Sequence, residues 1–386
     1  MEKIIKDLPE IFEEFADARK TGFMNVKKVK DQNIPVVGIY CTYFPQEIAH
    51  AMGLATVGLC STSDETVAEA EKDLPKNLCP LIKSSYGFGK TDKCPFFHFS
   101  DVVIGETTCD GKKKMYEMMR EFKDVYIMEL PNSQSADARE LWKKEVRKVA
   151  AFLEERFDTE LTYENLKKAI EVTNDIRRAR QELCEVMVND PTPVDGFDIH
   201  SVLNSNFYNF DKESVPKELD DVKEKILSEY DPAKREKKPR ILITGCPSGG
   251  APQKVIKALE DNGAVVVSFE NCIGEKQSQY FVDDRGETLD ELIDALADRY
   301  IQIGCSVMTP NPNRIELLDY LIDKYKVDGV VEIVLTACHT YNIESSTIQK
   351  FANEKKNIPY IAVETDYSQA DVGQLNTRLT AFIEML

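Results

Sequence analysis

Eight short apolar runs alternate with helical segments along this chain, and that pattern constrains the fold more than any other feature. The first four are IPVVGIYC (34–41), ATVGLC (55–60), DVVIGETTC (101–109) and DVYIMEL (124–130). The pattern recurs as RILITGC (240–246), AVVVSFENC (264–272), VDGVVEIVLTAC (327–338) and IPYIAVETD (358–366). Runs of this length rich in β-branched residues indicate strands, and strands that alternate with helices are typical of parallel sheets. The sequence therefore predicts two α/β domains.

The sequence between the two sets of runs is charged and helical. ARELWKKEVRKVAAFLEERF and TYENLKKAIEVTNDIRRARQEL have apolar residues three and four apart and no strand signal. The polar stretch YDPAKREKKPR (230–240) directly precedes a strand, which marks a boundary. We predict an N-terminal α/β domain over 1–134, a helical connector over 135–235 and a C-terminal α/β domain over 236–386.

Composition and charge narrow the possible partners. The 386 residues are 42% hydrophobic, enough for ordinary cores. With 49 Lys and Arg against 67 Asp and Glu, the net charge of −18 argues against a nucleic-acid or anionic membrane surface. The N-terminal sequence MEKIIKDLPEIFEEF resembles no signal or transit peptide, and no apolar stretch approaches the ~20 residues of a membrane span. We expect a cytoplasmic protein whose partners are proteins or small molecules.

The ten cysteines are the main chemical signal. In a reducing cytosol they are buried thiols, nucleophiles or metal ligands rather than disulfides. Six of them fall at or just beyond the end of a predicted strand: Cys41, Cys60, Cys109, Cys246, Cys272 and Cys338. Ligands of open α/β sheets bind beyond the carboxyl ends of the strands, so these thiols are expected to gather at one edge of each domain. Cys184 lies in mid-helix and is interpreted as structural, as is Cys60.

The spacing of the cysteines indicates which metal they could bind. No two lie within four residues of each other, which excludes local zinc knuckles, and the chain has only four histidines. Cys79 and Cys94 lie in turn-like sequence (LCPLIKSS and DKCPFF), as expected of ligands rather than core residues. Thiolates contributed by distant loops favour an iron–sulfur cluster.

Three further motifs bear on the site. GCPSGGAPQK (245–254) follows a strand and opens a helix, so the backbone amides of Gly249 and Gly250 could bind a phosphate or a cluster sulfide, although the motif matches no nucleotide signature. YGFGK (86–90) is interpreted as a simple loop. CDGKKK (109–114) places three lysines in the first turn of a helix, against the helix dipole. It indicates either an anionic neighbour or solvated lysines.

Acid and base candidates near the thiols are Glu47, Glu106, His339, Tyr341, Glu344 and Glu364. His339, directly after Cys338 at a strand end, is the preferred proton donor. Glu47 lies three residues before His50 on a predicted helix, so both are expected on one side of it.

Several of these motifs together resemble a known family. YCTYFPQEIAHAMG, LCPLIKSSYGFGKTDKCPFF, ETTCDGKKKMYE, ITGCPSGG, VDGVVEIVLTACHTYNIES and ETDYSQADVGQLNTRLTAFIEML resemble the 2-hydroxyacyl-CoA dehydratase and benzoyl-CoA reductase family of iron–sulfur proteins, most of all its double-cubane cluster branch. The resemblance implies two parallel-sheet, flavodoxin-like domains with a cluster in the cleft between them. It also implies a partner, an ATP-hydrolysing [4Fe–4S] activator protein that supplies electrons.

The resemblance also implies ligands. By motif, Cys79, Cys109 and Cys338 take the place of the three cysteines that hold the [4Fe–4S] cluster of the dehydratases. The double-cubane branch binds an [8Fe–9S] cluster on six cysteines of one chain. Its second set of three is expected among Cys41, Cys246, Cys272 and Cys305, with Cys94 in reserve. The many cysteines favour a self-sufficient homodimer over a pair of unlike subunits.

Three functions remain open from the sequence. The first is an oxidoreductase that reduces a small molecule at low potential with electrons from the activator. The second is a 2-hydroxyacyl-CoA dehydratase subunit, a lyase with a [4Fe–4S] cluster. The third is a non-catalytic electron carrier or cluster-assembly protein. The physiological substrate is not specified by the sequence.

Overall fold

The computed structural model describes residues 13–246 and 249–386, with side chains from residue 22 onward. Its strands are β1 (Val36–Ile39), β2 (Ala55–Gly58), β3 (Val102–Glu106), β4 (Val125–Met128), β5 (Arg240–Gly245), β6 (Val265–Phe269), β7 (Gly329–Leu335) and β8 (Tyr360–Thr365). Each strand lies within one of the eight apolar runs.

The strands form two four-stranded sheets with the orders β2-β1-β3-β4 and β6-β5-β7-β8. Every neighbouring pair is parallel. Both orders equal 2-1-3-4 within their own half of the chain, as in a flavodoxin-like sheet. The predicted fold class, α/β with two parallel sheets, is confirmed.

Burial explains why these runs form central strands. All residues of β1, β3, β5 and β7 are buried. A strand buried on both faces is formed mainly by apolar residues, which is why the runs are nearly continuous rather than alternating. The edge strands β4 and β8 keep partly exposed positions.

Helices connect the strands. They are α1 (Glu13–Asp31), α2 (Gln46–Ala51), α3 (Val67–Ala70), α4 (Pro80–Lys90), α5 (Pro95–Phe99), α6 (Asp110–Met119), α7 (Ala136–Phe157), α8 (Tyr163–Glu185), α9 (Gly196–Ser205), α10 (Val215–Glu229), α11 (Gly250–Asp261), α12 (Glu275–Ser278), α13 (Leu289–Ile301), α14 (Pro312–Tyr325), α15 (His339–Lys350) and α16 (Val372–Ile383). Side chains cap several of their N-termini: Ser135 accepts from the amide of Ala138, and Thr162 from that of Asn165. Within the described ranges no helix combines the length and apolarity that a bilayer span requires.

The interpretation of YGFGK (86–90) as a loop is wrong, because these residues form the second half of α4. Its glycines serve close packing. A Cβ on Gly87 would lie 2.4 Å from the carbonyl oxygen of Thr66, and one on Gly89 would lie 3.0 Å from the ring of Phe97. Glycine in this helix lets neighbouring segments approach, at a cost in helix propensity that packing offsets.

The long helices α7 and α8 lie in the segment expected to be helical. The second half of the chain also contacts them: α13 packs on α7, and Arg147 forms an ion pair with Asp294 at 2.7 Å. Leu292 and Leu296 of α13 share a buried apolar cluster with Trp142 of α7. The domain boundaries at residues 134/135 and 235/236 stay a prediction.

Candidate functional site

A cavity of about 310 Å³ lies where the carboxyl ends of the two sheets meet. Seven cysteines line it: Cys41, Cys60, Cys79, Cys109, Cys272, Cys305 and Cys338. Cys41 follows β1 and Cys109 follows β3, the adjacent strands at which the connections of the first sheet change direction. Cys338 follows β7 at the equivalent point of the second sheet. Ligands of such sheets bind at this switch point.

Three of these cysteines begin helices. Cys79, Cys109 and Cys338 are the N-cap residues of α4, α6 and α15. Helix N-termini favour thiolates because the amide dipoles point at them. The interaction with Cys79 is the largest cause that lowers the pKa of Cys338, to about 6, and the interaction with Cys338 raises the pKa of Cys79. The two thiols therefore favour opposite protonation states.

A second group consists of Cys41, Cys272 and Cys305. Burial is the largest cause that raises the pKa of Cys41, and the charges of Cys272 and Cys305 act in the same direction. Burial also raises the pKa of Cys272 to about 11. The sulfur of Cys305 lies 3.9 Å from the hydroxyl of Tyr341, which in turn accepts a hydrogen bond from Lys276 at 3.3 Å.

The remaining cysteines differ in position. Cys246 is 1% exposed at the end of β5 and is not among the residues that line the cavity. Cys60 lines the cavity, although a structural role was expected for it, and its thiol donates to the carbonyl oxygen of Tyr40 at 3.0 Å. Cys94 and Cys184 are buried outside the cavity wall.

The lysines of CDGKKK divide between the two expected environments. Lys112 is buried, lines the cavity and donates to the carbonyl oxygen of Tyr40 at 3.1 Å. Lys113 and Lys114 are exposed and pair with Asp110 and Glu117. The cavity wall therefore carries one fixed cation from this motif, next to Cys109.

Glu106 is only one of several acid candidates in the sequence, yet its setting in the structure is unusual. It ends β3, is fully buried and has no ion pair within the described ranges. Burial raises the pKa of its carboxyl to about 8, and Lys112 opposes that shift. A buried carboxyl of this kind holds a proton near neutral pH.

The two predicted catalytic residues lie in different surroundings. His339 is exposed at the start of α15 and lines the cavity, as a proton donor would. Glu47 is fully buried and does not line the cavity. It accepts from Arg177 at 2.6 Å and from the hydroxyl of Tyr300 at 2.8 Å. Although burial alone would raise the pKa of Glu47, the charge of Arg177 lowers it. Its surroundings therefore do not favour proton transfer, and its catalytic role stays a prediction.

The two glycines predicted to bind a cofactor do not line the cavity. Gly249 is the N-cap of α11 with φ of 122°, and a Cβ there would lie 2.0 Å from the side chain of Thr62. A Cβ on Gly250 would lie 3.3 Å from the carbonyl oxygen of Thr62. Close packing of two segments explains these glycines, so their role in binding an anion stays a prediction.

The donor set suits a cluster better than a single ion. Among the residues with described positions, no three His, Cys, Asp or Glu side chains converge on a site for one metal ion. Seven thiols are instead spread over one cavity wall. Soft thiolates are the ligands of iron–sulfur clusters, and a thiol that becomes a ligand releases its proton.

Comparison with known proteins identifies the family of this chain. The family model described as 2-hydroxyglutaryl-CoA dehydratase, D-component, matches residues 41–386. The chain belongs to this family. The match begins at Cys41, just after β1, and covers the other seven strands, so all the cavity cysteines lie inside it.

Relatives of this dehydratase family are similar over nearly their whole length. A protein of Escherichia coli (strain K12), provisionally named dehydratase subunit YjiM, is 52% identical over 99% of this chain and 100% of its own. The β subunit of (R)-2-hydroxyglutaryl-CoA dehydratase from Acidaminococcus fermentans is 22% identical over 97% of this chain and 99% of its own. A benzoyl-CoA reductase subunit from Thauera aromatica is 22% identical over 85% of this chain and 81% of its own.

Proposed function

We propose that this member of the dehydratase family is an iron–sulfur oxidoreductase with a double-cubane [8Fe–9S] cluster. Six of the cysteines that line the cavity would hold it: Cys79, Cys109 and Cys338 on one side, and Cys41, Cys272 and Cys305 on the other. The observation that carries the proposal is the convergence of thiols from the strand ends of both sheets on one cavity. A single [4Fe–4S] cluster would leave several of them without a role.

The choice of six follows from the contacts of each thiol. Cys79, Cys109 and Cys338 each begin a helix at the cavity wall, which supports the first group. The charges of Cys272 and Cys305 act on Cys41, which supports the second. Cys60 is left out because its thiol already has an acceptor, the carbonyl oxygen of Tyr40. Cys246 is left out because it is buried behind the cavity wall.

When bound, such a cluster would supply electrons of low potential to a small-molecule substrate. The chain's own residues would control charge and protons around it. Lys112 would place a positive charge beside Cys109, and His339 would offer a proton from the cavity wall. The hydroxyl of Tyr341, 3.9 Å from the sulfur of Cys305, would donate to that sulfur. Hydrogen bonds and charges of this kind tune the potential of a cluster.

The electrons would come from an ATP-hydrolysing [4Fe–4S] activator protein, and the chain would act in the cytoplasm as a homodimer. The names of the relatives support a partner, since several are subunits of enzymes. The acidic net charge of −18 supports a protein partner rather than a nucleic acid.

The proposal is tested by iron and acid-labile sulfide per chain after anaerobic purification. We expect about eight irons per chain. A value of about four would contradict the double cubane and favour the dehydratase described next. The variant Cys60→Ala is the matched control, because it removes a cavity thiol that the proposal does not use and should keep the iron content of the unmodified chain.

A second candidate function is supported by the relatives whose names specify 2-hydroxyacyl-CoA dehydratases. In that case the chain would be a dehydratase subunit with one [4Fe–4S] cluster. Anaerobic incubation of a panel of 2-hydroxyacyl-CoA thioesters with an activator and ATP tests this alternative. Complete inertness of the panel, together with eight irons, would exclude it.

A further inference from the structure

A second, smaller pocket of about 70 Å³ adjoins the cysteine cavity. Four cationic side chains line it: Arg177, Arg180, Lys212 and Arg299. We refer to it as the basic pocket. The two spaces share wall residues, among them Thr42, Gln46 and Lys212. No sequence motif indicates this pocket, because its cations come from α8, from α13 and from the loop before α10.

The cations of the basic pocket are poorly neutralised. Arg177 has a carboxylate partner, Glu47, at 2.6 Å. Arg299 donates only to backbone carbonyl oxygens, those of Tyr280 at 3.0 Å and of Gln277. Within the described ranges no Asp or Glu lines the pocket.

Arg180 and Lys212 are the least satisfied of the four. Arg180 is 5% exposed and donates to the carbonyl oxygens of Leu203 and Ile273, yet its Nε has no hydrogen-bond partner among the described residues. Lys212, which borders both spaces, forms no ion pair there. Burial, and then the charge of Arg180, lower the pKa of Lys212 to about 8.

Arg180 is buried and Lys212 is half-buried, and neither has a counter-charge among the described residues. Such cations are costly, and proteins retain them mainly where a ligand supplies the missing charge. Arginine and lysine together suit oxyanions, which accept several charge-assisted hydrogen bonds at once. The small volume of the pocket limits the group to a few heavy atoms, since a water molecule accounts for about 30 Å³ in the liquid.

We infer that the basic pocket binds an oxyanion, a carboxylate or a phosphoryl group, at its contact with Lys212 and Arg180. The pocket opens onto the cysteine cavity beside Lys212, so the group would anchor a ligand whose remaining atoms extend toward the thiols. This last step rests on the proposed function, whereas the binding of the anion itself does not.

The inference is tested by calorimetric titration of the anaerobically purified full chain at constant ionic strength, with inorganic phosphate in one arm and acetate in the other. We expect one site per chain for at least one of the anions. Binding of phosphate alone identifies a phosphoryl group, and binding of acetate alone identifies a carboxylate. If neither anion binds, the inference is wrong.

The variants Lys212→Met and Lys212→Arg separate charge from folding. Lys212→Met loses one charge-assisted hydrogen bond and should bind the anion about 10-fold more weakly, or weaker still. Lys212→Arg keeps the charge and should largely restore the affinity. The control Lys257→Met alters an exposed lysine of α11 and should bind like the unmodified chain. Unchanged binding by Lys212→Met would overturn the inference. Iron content, measured on the same samples, tests the proposed function separately, because anion binding does not depend on eight irons.

Discussion

Cys79 and Cys338 come from different halves of the chain and line the same cavity. Cys79 begins α4 beside the first sheet, and Cys338 begins α15 directly after β7 of the second. The presence of Cys79 lowers the pKa of Cys338, while Cys338 raises the pKa of Cys79, so the two thiols favour opposite protonation states. Because residues of both halves line the cavity, neither half could form it alone.

The first prediction concerns iron content. Cys338→Ser should lose at least one cubane's worth of iron, about half of eight, because an oxygen replaces a ligand of the first group. Cys184→Ser is the control, since Cys184 is buried in α8 away from the cavity wall. Anaerobic iron and sulfide analysis gives the result. Loss of half the iron from Cys184→Ser would contradict the assignment of the ligands.

The sequence predicted the strands and the gathering of strand-end cysteines, but not the contacts that orient the side chains. Each apolar run became a strand because buried parallel strands require continuous apolar sequence. Strand-end cysteines met at one cavity because the carboxyl ends of parallel strands share an edge. Glu47, in contrast, pairs with Arg177 of a helix far along the chain, and helical spacing carries no information about such a partner. The loop prediction around Gly87 is wrong because close packing against Thr66, not a turn, requires that glycine.

The second prediction concerns Tyr341. Its hydroxyl lies 3.9 Å from the sulfur of Cys305 and accepts from Lys276. A donor to a cluster ligand stabilises the reduced, more negative state. Tyr341→Phe should therefore lower the midpoint potential by on the order of 20–60 mV, the equivalent of one modest hydrogen bond, with unchanged iron content.

Redox titration followed by electron paramagnetic resonance measures this shift. Tyr320→Phe is the matched control, because Tyr320 is an exposed tyrosine of α14 outside the cavity wall. A potential that rises in Tyr341→Phe, or that does not change, would show that the hydroxyl does not donate to Cys305.

The third prediction concerns pH and Glu106. Burial raises the pKa of this carboxyl to about 8, against Lys112, so the folded chain holds a proton that the unfolded chain has released above pH 4.5. The contribution of Glu106 to the free energy of unfolding is largest below the pKa that its carboxyl has in the unfolded chain. This contribution is lost as the pH rises to the pKa that the carboxyl has in the folded chain. Between pH 6 and pH 9 the loss should be roughly 3 kcal/mol.

The thermal midpoint of the unmodified chain should therefore fall between pH 6 and pH 9 by more than that of Glu106→Gln, whose amide does not titrate. Glu160→Gln, an exposed substitution, should follow the unmodified chain. Scanning calorimetry at both pH values makes the comparison. Equal falls in the unmodified chain and in Glu106→Gln would mean that Glu106 is ionised in the folded state.

The last prediction concerns electron delivery. If an ATP-driven activator supplies the electrons, reduction of a substrate should need ATP and that second protein. If the activator is two-fold symmetric and this chain forms a homodimer, the docking face should span both protomers, because a closed interface requires matched symmetry. With a chain charge of −18, association should favour a partner whose facing surface is positive.

Raising the ionic strength should then slow turnover at saturating substrate, because salt at physiological strength screens exposed charges over about 8–10 Å. Sucrose at equal osmolality is the control, since it changes water activity without screening charge. A second arm replaces the activator and ATP with dithionite, which should support little turnover. Full activity with dithionite alone would show that no activator is needed. A rate independent of salt would exclude only the electrostatic contribution to docking. In that case the requirement for ATP would still indicate a protein that couples ATP hydrolysis to electron transfer.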